Sequence, residues 1–328
     1  MMMTKNTPFD QYSRQKIGAS IIDVVRKKDE TFRIVDVGGY KGKTQDSLSQ
    51  DLVTVVDIVD SDDKNYIKAS ALSLPMKDAS YNFVVSFDAL EHIHKNDRKQ
   101  FISECLRVAN RGVIVCAPHL TVANEAAEDK LNNLYKSISG ENHRWLREHI
   151  ENGLPDFVSL TSIAEDKGYH TKTLFSNEID LWMVMQAALF MNEKYPQAAD
   201  KLIALNKQYN ARLDLDIQVG EADAYRRILI AFRDKKDIKK IEKFIESQKI
   251  ADQKKQKIDI IYKVTDYYLA LVREIEAKYV KEAEGVAKEL KDKNDRLNSI
   301  VSSKVWRFAH KFRVIEARII RKNNKKVL

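Results

Sequence analysis

Phe32–Gly42, FRIVDVGGYKG, is the stretch whose reading decides the fold. Ile34, Val35 and Val37 form an apolar run that stops at Gly38 and Gly39, and Gly42 precedes a polar, helix-compatible segment from Lys43 to Leu48. This is the pattern of a buried strand, a tight turn and a helix N-terminus. Glycines there let the backbone approach a ligand, and the unpaired N–H groups of the helix start offer donors to it. The run from Leu52 to Val59 then places Asp57 near the end of a second apolar strand, about 20 residues on. A glycine turn after strand one and an acid after strand two can hold the ribose diol of an adenosine in a doubly wound fold.

Working outward, Phe9–Lys27 carries Ile17, Ile21, Ile22 and Val25 at helical spacing, so a helix precedes strand one (Arg33–Val37). Tyr12 and Arg14 at its start could cap a ligand pocket or serve as packing and surface groups. Leu52–Ile58, Tyr66–Lys68, Val84–Ser86 and Gly112–Ala117 read as strands two to five, with a helix over Asp97–Val108. His170–Ser176 reads as a sixth strand, 177–212 as a helical insertion interrupted at Pro196, and Ala224–Phe232 as the last strand. Strands alternating with helices at this rhythm predict an α/β fold, a mostly parallel doubly wound sheet of seven strands with right-handed crossovers.

The ordered segments IVDVGGYKG, VTVVDIVD, ASALSLPMKDASYNFVVSFDALEHI and RVANRGVIVCAPH resemble class I S-adenosylmethionine (SAM)-dependent methyltransferases, over residues 9–120 by motif and more loosely to about 233. The resemblance implies that Asp36, Gly38, Gly39 and Gly42 receive the amino-acid part of SAM and that Asp57 holds the ribose hydroxyls. It places Ser70 and Ala71 at the adenine edge, Leu74 against the adenine, and Asp88 beside the sulfonium and substrate. It also implies an antiparallel last strand. The sequence departs from the pattern at Tyr40, where a glycine is usual, and at Ser70, where many members have Asp. Glu141-x-His143, Glu148-His149 and Gly153-Leu154-Pro155 resemble a subset of methyltransferases among bacterial glycan-assembly enzymes.

A hydroxyl acceptor needs a base, and Asp88, His92, His119, His143 and His149 are the candidates; Asp88, His119 and His149 are taken as the catalytic set. Glu91 adjoins His92 and Glu148 adjoins His149, but neither spacing is diagnostic of metal ligation, so no metal is expected. The glycine turn lacks the G-K-[ST] of a phosphate loop, which argues against an ATPase.

The chain has 328 residues, 44% of them hydrophobic, enough for a substantial core. Cys105 and Cys116 are its only cysteines, so no disulfide framework is implied and a reducing cytoplasm is expected. Leu181–Met191, the most apolar stretch, is too short to span a bilayer, which predicts a soluble or peripheral protein. The net charge of +8 belongs to the end of the chain. Lys304–Leu328 holds nine Lys/Arg and one acid, leaving 47 of each sign before it. A balanced domain argues against a face built for a nucleic-acid backbone.

Three parts are therefore expected: a methyltransferase domain over 1–235, a charged helix or coiled coil over 236–301, and a basic amphipathic tail over 302–328. From Ile258 to Val301 apolar residues step by three, four or a heptad, with a stutter near Tyr279. That pattern suits a homo-oligomeric coiled coil or a helix packed back on the first domain. The tail sets Trp306, Phe308, Phe312 and Ile315 among arginines and lysines, which suits an anionic membrane or membrane-bound glycan enzymes as partner. Its Ser303-x-x-Trp306-Arg307 also resembles the ends of bacterial surface-glycan glycosyltransferases. The resulting expectation is methyl transfer from SAM to an oxygen of a sugar or glycan precursor. Methylation of a small metabolite or an RNA, and a non-catalytic scaffold with this fold, are the alternatives.

Overall fold

The computed structural model describes residues 7–40, 44–211, 215–218, 220–248 and 253–303, together with 311 and 313. Gly42 and nearly all of the basic tail lie outside the described residues. In chain order the elements are α1 (Phe9–Val25), β1 (Arg33–Val37), α2 (Thr44–Ser47), β2 (Leu52–Asp57), β3 (Tyr66–Lys68) and β4 (Tyr81–Phe87). A short 3₁₀ turn (Leu90–His92) leads to α3 (Arg98–Val108), β5 (Ala109–Pro118), α4 (Val122–Ser139), α5 (Arg144–Asn152) and α6 (Phe157–Asp166). Then come β6 (His170–Glu178), α7 (Ile179–Lys194), α8 (Ala199–Ala211), β7 (Ile217–Gln218), β8 (Ala224–Phe232), α9 (Lys235–Ser247) and α10 (Gln253–Ser302).

The strands form one sheet in the order β3-β2-β1-β4-β5-β8-β6-β7. β1 to β5 are mutually parallel, and β8 runs antiparallel between β5 and β6, as the family resemblance implies. The seven expected strands are all present. The eighth, β7, is a two-residue addition on the edge of β6 and is too short to leave a periodic signal.

Alternation along the strands builds two core layers. Ile34, Val85, Ile114, Ile228 and Ile230 face one side, where Ile17, Ile21 and Ile22 of α1 cover them. Val35, Val37, Val84, Val113, Val115 and Leu229 face the other, under Phe101, Ile102 and Leu106 of α3 and Leu160 of α6. Strands covered on both faces read as continuous apolar runs, which is why they stand out in the sequence. Cys105 and Cys116 are buried, one in each layer, and burial pushes both thiols well above their ordinary range. The strand order reverses between β1 and β4, so the crevice for a ligand opens at the C-terminal ends of these strands.

The expected boundary at 235 moves. Ile238 and Ile241 of α9 are buried with the layer under α1, and the chain divides into compact units at Ala270. The start of α10 also docks: Tyr267 and Tyr268 donate their hydroxyls to the Ala188 and Val184 carbonyls, and Lys257 pairs with Glu178 and Asp180. In the second unit, taken by itself, Val286, Leu290, Leu297 and Ile300 are exposed along a helix. The packed-back reading thus holds for the start of the helix, up to Ala270. No helix among the described residues is long and apolar enough to cross a membrane.

Candidate active site

A cavity of about 300 Å³ opens at the C-terminal ends of β1, β2 and β4. One wall is the glycine turn. Gly38 has φ +78°, and a Cβ there would lie 2.3 Å from Ala89 Cβ; one at Gly39 would lie 2.1 Å from Asp36 Oδ2. The turn is therefore glycine for both conformation and space. Asp36 is fully buried and lines the cavity, and neither carboxylate oxygen has a hydrogen-bond partner among the described residues. Burial pushes its carboxyl up to about 6, with the Asp57 charge adding and the Thr44 hydroxyl and Arg14 opposing. Asp57 Oδ2 accepts the backbone N–H of Tyr40 at 3.2 Å and Oδ1 that of Val59 at 3.3 Å, which fixes the carboxylate at the cavity edge. Tyr40 lines the cavity with its ring 6.4 Å from that of Tyr66, so the bulk that replaces glycine borders the site.

The residues expected around the adenine, Ser70, Ala71 and Leu74, do not line this cavity. Ser70 is exposed and its hydroxyl accepts from Leu72 N, Ala71 is half-buried, and Leu74 is a core residue capped by Glu104 and Arg107.

Asp88 sits at the end of β4 with φ +51°. Arg14 Nη1 donates to its Oδ2 at 2.8 Å, and Arg226 grips both oxygens, with Nε 2.7 Å from Oδ1. Burial alone would raise this carboxyl, but the two guanidiniums hold it at about 2. Such a group is a poor proton acceptor at neutral pH, so Asp88 serves as an electrostatic node and not as a base. Arg226 is oriented in turn by Asn177 Oδ1, and Asn177 is itself anchored to Ser13 and Asp216.

His119 does not line the cavity. It is buried beside the Tyr225 carbonyl, stacks near Phe175, and has Nε2 3.7 Å from Glu221. Burial lowers its pKa. It follows β5 directly, but its ring packs against Phe175 of β6 and the Tyr225 carbonyl of β8.

His149 is in the cavity wall. Glu128 Oε1 lies 3.0 Å from its Nδ1 and also accepts the Tyr225 hydroxyl at 2.7 Å. Burial would lower the His149 pKa, and the Glu128 hydrogen bond and charge more than restore it. The His92 ring lies 4.8 Å away, with Nδ1 2.8 Å from Glu148 Oε2. Glu91 completes this wall, and burial followed by the Asp88 charge raises it to about 8. Neither adjacent pair, Glu91-His92 or Glu148-His149, has a spacing diagnostic of metal ligation, but the fold brings the two pairs together. The 3₁₀ turn and α5 face each other, tied by Asn152 Nδ2 to the His92 carbonyl and by Arg98 to the carbonyls of Ile93 and Gly153.

Trp182, Tyr225, Phe190, His143 and Trp145 form the remaining wall. Trp182 and Tyr225 stack at 3.3 Å, and Trp145 is 59% exposed. The Trp182 Nε1 and His143 Nδ1 are buried without hydrogen-bond partners among the described residues. Trp182 lies on α7 and gave no signal beyond belonging to an apolar helix.

Residues 35–117 match the family described as the methyltransferase domain. They run from β1 through β5 and include Asp36, the glycine turn, Asp57 and Asp88. This segment is a methyltransferase domain. No curated protein matches the chain. Among solved structures it is similar to magnesium protoporphyrin IX methyltransferase from Synechocystis PCC 6803 with bound SAH, at 14% identity over 68% of this chain and 84% of that one, with a TM-score of 0.40. It is similar also to a SAM-dependent methyltransferase from Archaeoglobus fulgidus, at 16% identity over 67% and 94% of the two chains, with a TM-score of 0.39.

The raised Asp36 carboxyl has a measurable sign. Its ordinary value is 3.8 and its folded value about 6, so the folded chain holds the proton more tightly. Stability is therefore lost as pH rises through that interval, and the full cost, on the order of 2–3 kcal/mol, applies above it. Asp36→Asn is expected to unfold at a higher temperature than the parent at pH 7.5, with the gain gone at pH 4. Equal gains at both values would show that the carboxylate charge is not the source.

Proposed function

We propose that the chain transfers a methyl group from S-adenosyl-L-methionine to an oxygen of a sugar or surface-glycan precursor. The observation that carries this reading is the buried, unpartnered carboxylate of Asp36 set beside Asp57 at a glycine turn. A buried charge without a partner is costly, and a bound ammonium removes that cost. An ammonium at Asp36 and a ribose diol at Asp57 match two groups of this donor, so the residues present fit it.

SAM, when bound, supplies the electrophilic methyl group. The chain supplies position and a dry wall. Asp57 accepts from the ribose hydroxyls, while Arg14 and Arg226 keep Asp88 ionised beside the reacting end. Trp182, Phe190 and Tyr225 exclude water and offer flat apolar faces to a sugar ring. The unpartnered Trp182 Nε1 and His143 Nδ1 are placed to bond hydroxyls, which favours a polyhydroxylated acceptor over an apolar one. On the opposite wall His149, its Nδ1 held by Glu128, turns Nε2 to the acceptor oxygen.

Two associations complete the proposal. The exposed Val286, Leu290, Leu297 and Ile300 recur with heptad spacing, so a second copy of the same helix is the occupant proposed for that face. The tail beyond Ser303 is proposed to bring the enzyme to an anionic membrane or to glycan enzymes on it.

Calorimetric titration of SAM into the wild type and Asp57→Ala is expected to show binding about 5–150-fold weaker in the variant, the loss of about 1–3 kcal/mol for a hydrogen-bonded carboxylate. A folded wild type that binds no SAM would overturn the donor and favour a scaffold. Light scattering is expected to report an oligomer for the wild type and a monomer for the double variant Leu290→Asp, Leu297→Asp; unchanged mass would dismiss the helix as the contact. Cosedimentation with vesicles rich in anionic lipid should be lost on removing 304–328, and its persistence would place membrane contact elsewhere.

A further inference from the structure

Glu91, His92 and His149 each bring one donor atom within 4.8 Å of the other two, on the wall of the cavity that all three line. We propose that this trio is a site for a divalent transition-metal cation, with two imidazole nitrogens and one carboxylate oxygen as protein ligands and the remaining positions open to the cavity.

The hydrogen bonds around the trio point the free atoms. A carboxylate oxygen only accepts, so Glu128 and Glu148 place the protons of neutral His149 and His92 on Nδ1. Each ring is left with its lone pair on Nε2. A histidine held through one nitrogen by a carboxylate and offering the other is the common arrangement around protein-bound metals. Here it occurs twice, on rings 4.8 Å apart.

The second observation is a pair of unsatisfied atoms. His149 Nε2 and Glu91 Oε2 are buried without hydrogen-bond partners among the described residues, on side chains that are 6% and 1% exposed as residues. In the form that binds a cation, with the imidazole neutral and the carboxylate ionised, both atoms are lone-pair acceptors and neither can satisfy the other. Each carries the cost of a buried polar group left unmade. A cation between them satisfies both at once and takes in His92 as well. Asp88 does not compete for this role, because its two oxygens are already held by Arg14 and Arg226.

The site is also braced before any ligand arrives. Asn152 and Arg98 fasten the turn that carries Glu91 and His92 to the end of the helix that carries His149. Two imidazoles and one carboxylate suit Mn²⁺, Fe²⁺, Co²⁺ or Zn²⁺ better than Mg²⁺ or Ca²⁺, which prefer all-oxygen shells. Three ligands from one side leave positions for an oxygen of the acceptor, so His149 meets that oxygen through the cation and not as a free base. The site itself is independent of the methyl-transfer reading; only this use of its open positions rests on it.

Titration of CoCl₂ into the metal-free full-length protein, followed by visible ligand-field absorption and calorimetry, tests the site. One equivalent of Co²⁺ per chain is expected. Glu91→Gln and His149→Gln should each weaken uptake at least tenfold, and Glu128→Gln, which only orients His149, about 10–100-fold. Glu125→Gln, on the same helix as Glu128, should leave it unchanged. Thermal unfolding in metal-free buffer confirms that each variant is folded. A folded wild type that takes up no Co²⁺, or uptake that survives in both Glu91→Gln and His149→Gln, would overturn the proposal. Loss of SAM binding with Co²⁺ uptake intact would sink the donor reading and leave the cation site standing.

Discussion

The site depends on one buried ion cluster. Asp88 lies between Arg14 and Arg226, and Asp10 pairs with Arg14 at 2.8 Å and approaches Arg226 at 3.8 Å. Two acids and two guanidiniums make the cluster neutral as a whole. Neutrality matters because each charge pays a desolvation penalty of several kcal/mol, recovered only when geometry and partners are good. Deleting Asp88 would leave two guanidiniums facing each other and cost about 3–5 kcal/mol. The cluster joins α1, the end of β4 and β8, three elements distant in sequence. The left-handed backbone at Asp88, unusual for a residue other than glycine, is held by these contacts.

Spending Asp88 in this way divides the cavity. The side nearest the glycine turn keeps two carboxylates, Asp36 and Asp57, that are available to a ligand. The cavity also keeps Glu91, His92 and His149, and an aromatic wall of Trp182, Tyr225 and Phe190. Among the described residues, the guanidiniums that line the cavity are Arg14 and Arg226, and both are held in the cluster. Tyr225 links the two halves. It stacks on Trp182, and its hydroxyl shares the Glu128 oxygen that orients His149.

The fold was legible because parallel strands covered on both faces leave uninterrupted apolar runs; Arg33–Val37 and the Val113–Ala117 part of β5 fall where the pattern puts them. That Asp36, Gly38, Gly39 and Asp57 line one cavity was legible for a related reason, since each lies at a fixed offset from the end of a strand. His119 lies off the cavity because adjacency to a strand end does not fix where the side chain packs; it turns to Phe175 and the Tyr225 carbonyl. Ser70 and Leu74 were assigned by motif position, and the turn after β3 carries them away from the cavity described here. Arg226, Trp182 and Tyr225 reach the site from the last strand and the inserted helices, where no short motif marks them. The trio at Glu91 was hidden by distance in sequence: a 3₁₀ turn and α5 must fold together before its donors meet.

The two cysteines have a consequence of their own. Cys105 and Cys116 lie in opposite layers of the core, fully covered, with their thiols held in the unreactive protonated form. Oxidants and alkylating reagents in the surroundings find no handle on the folded unit. They reach the sulfurs only when the sheet comes apart, and each thiol reports on the lifting of a different layer. The chain therefore carries two native clocks for its own opening, one on each side of the sheet.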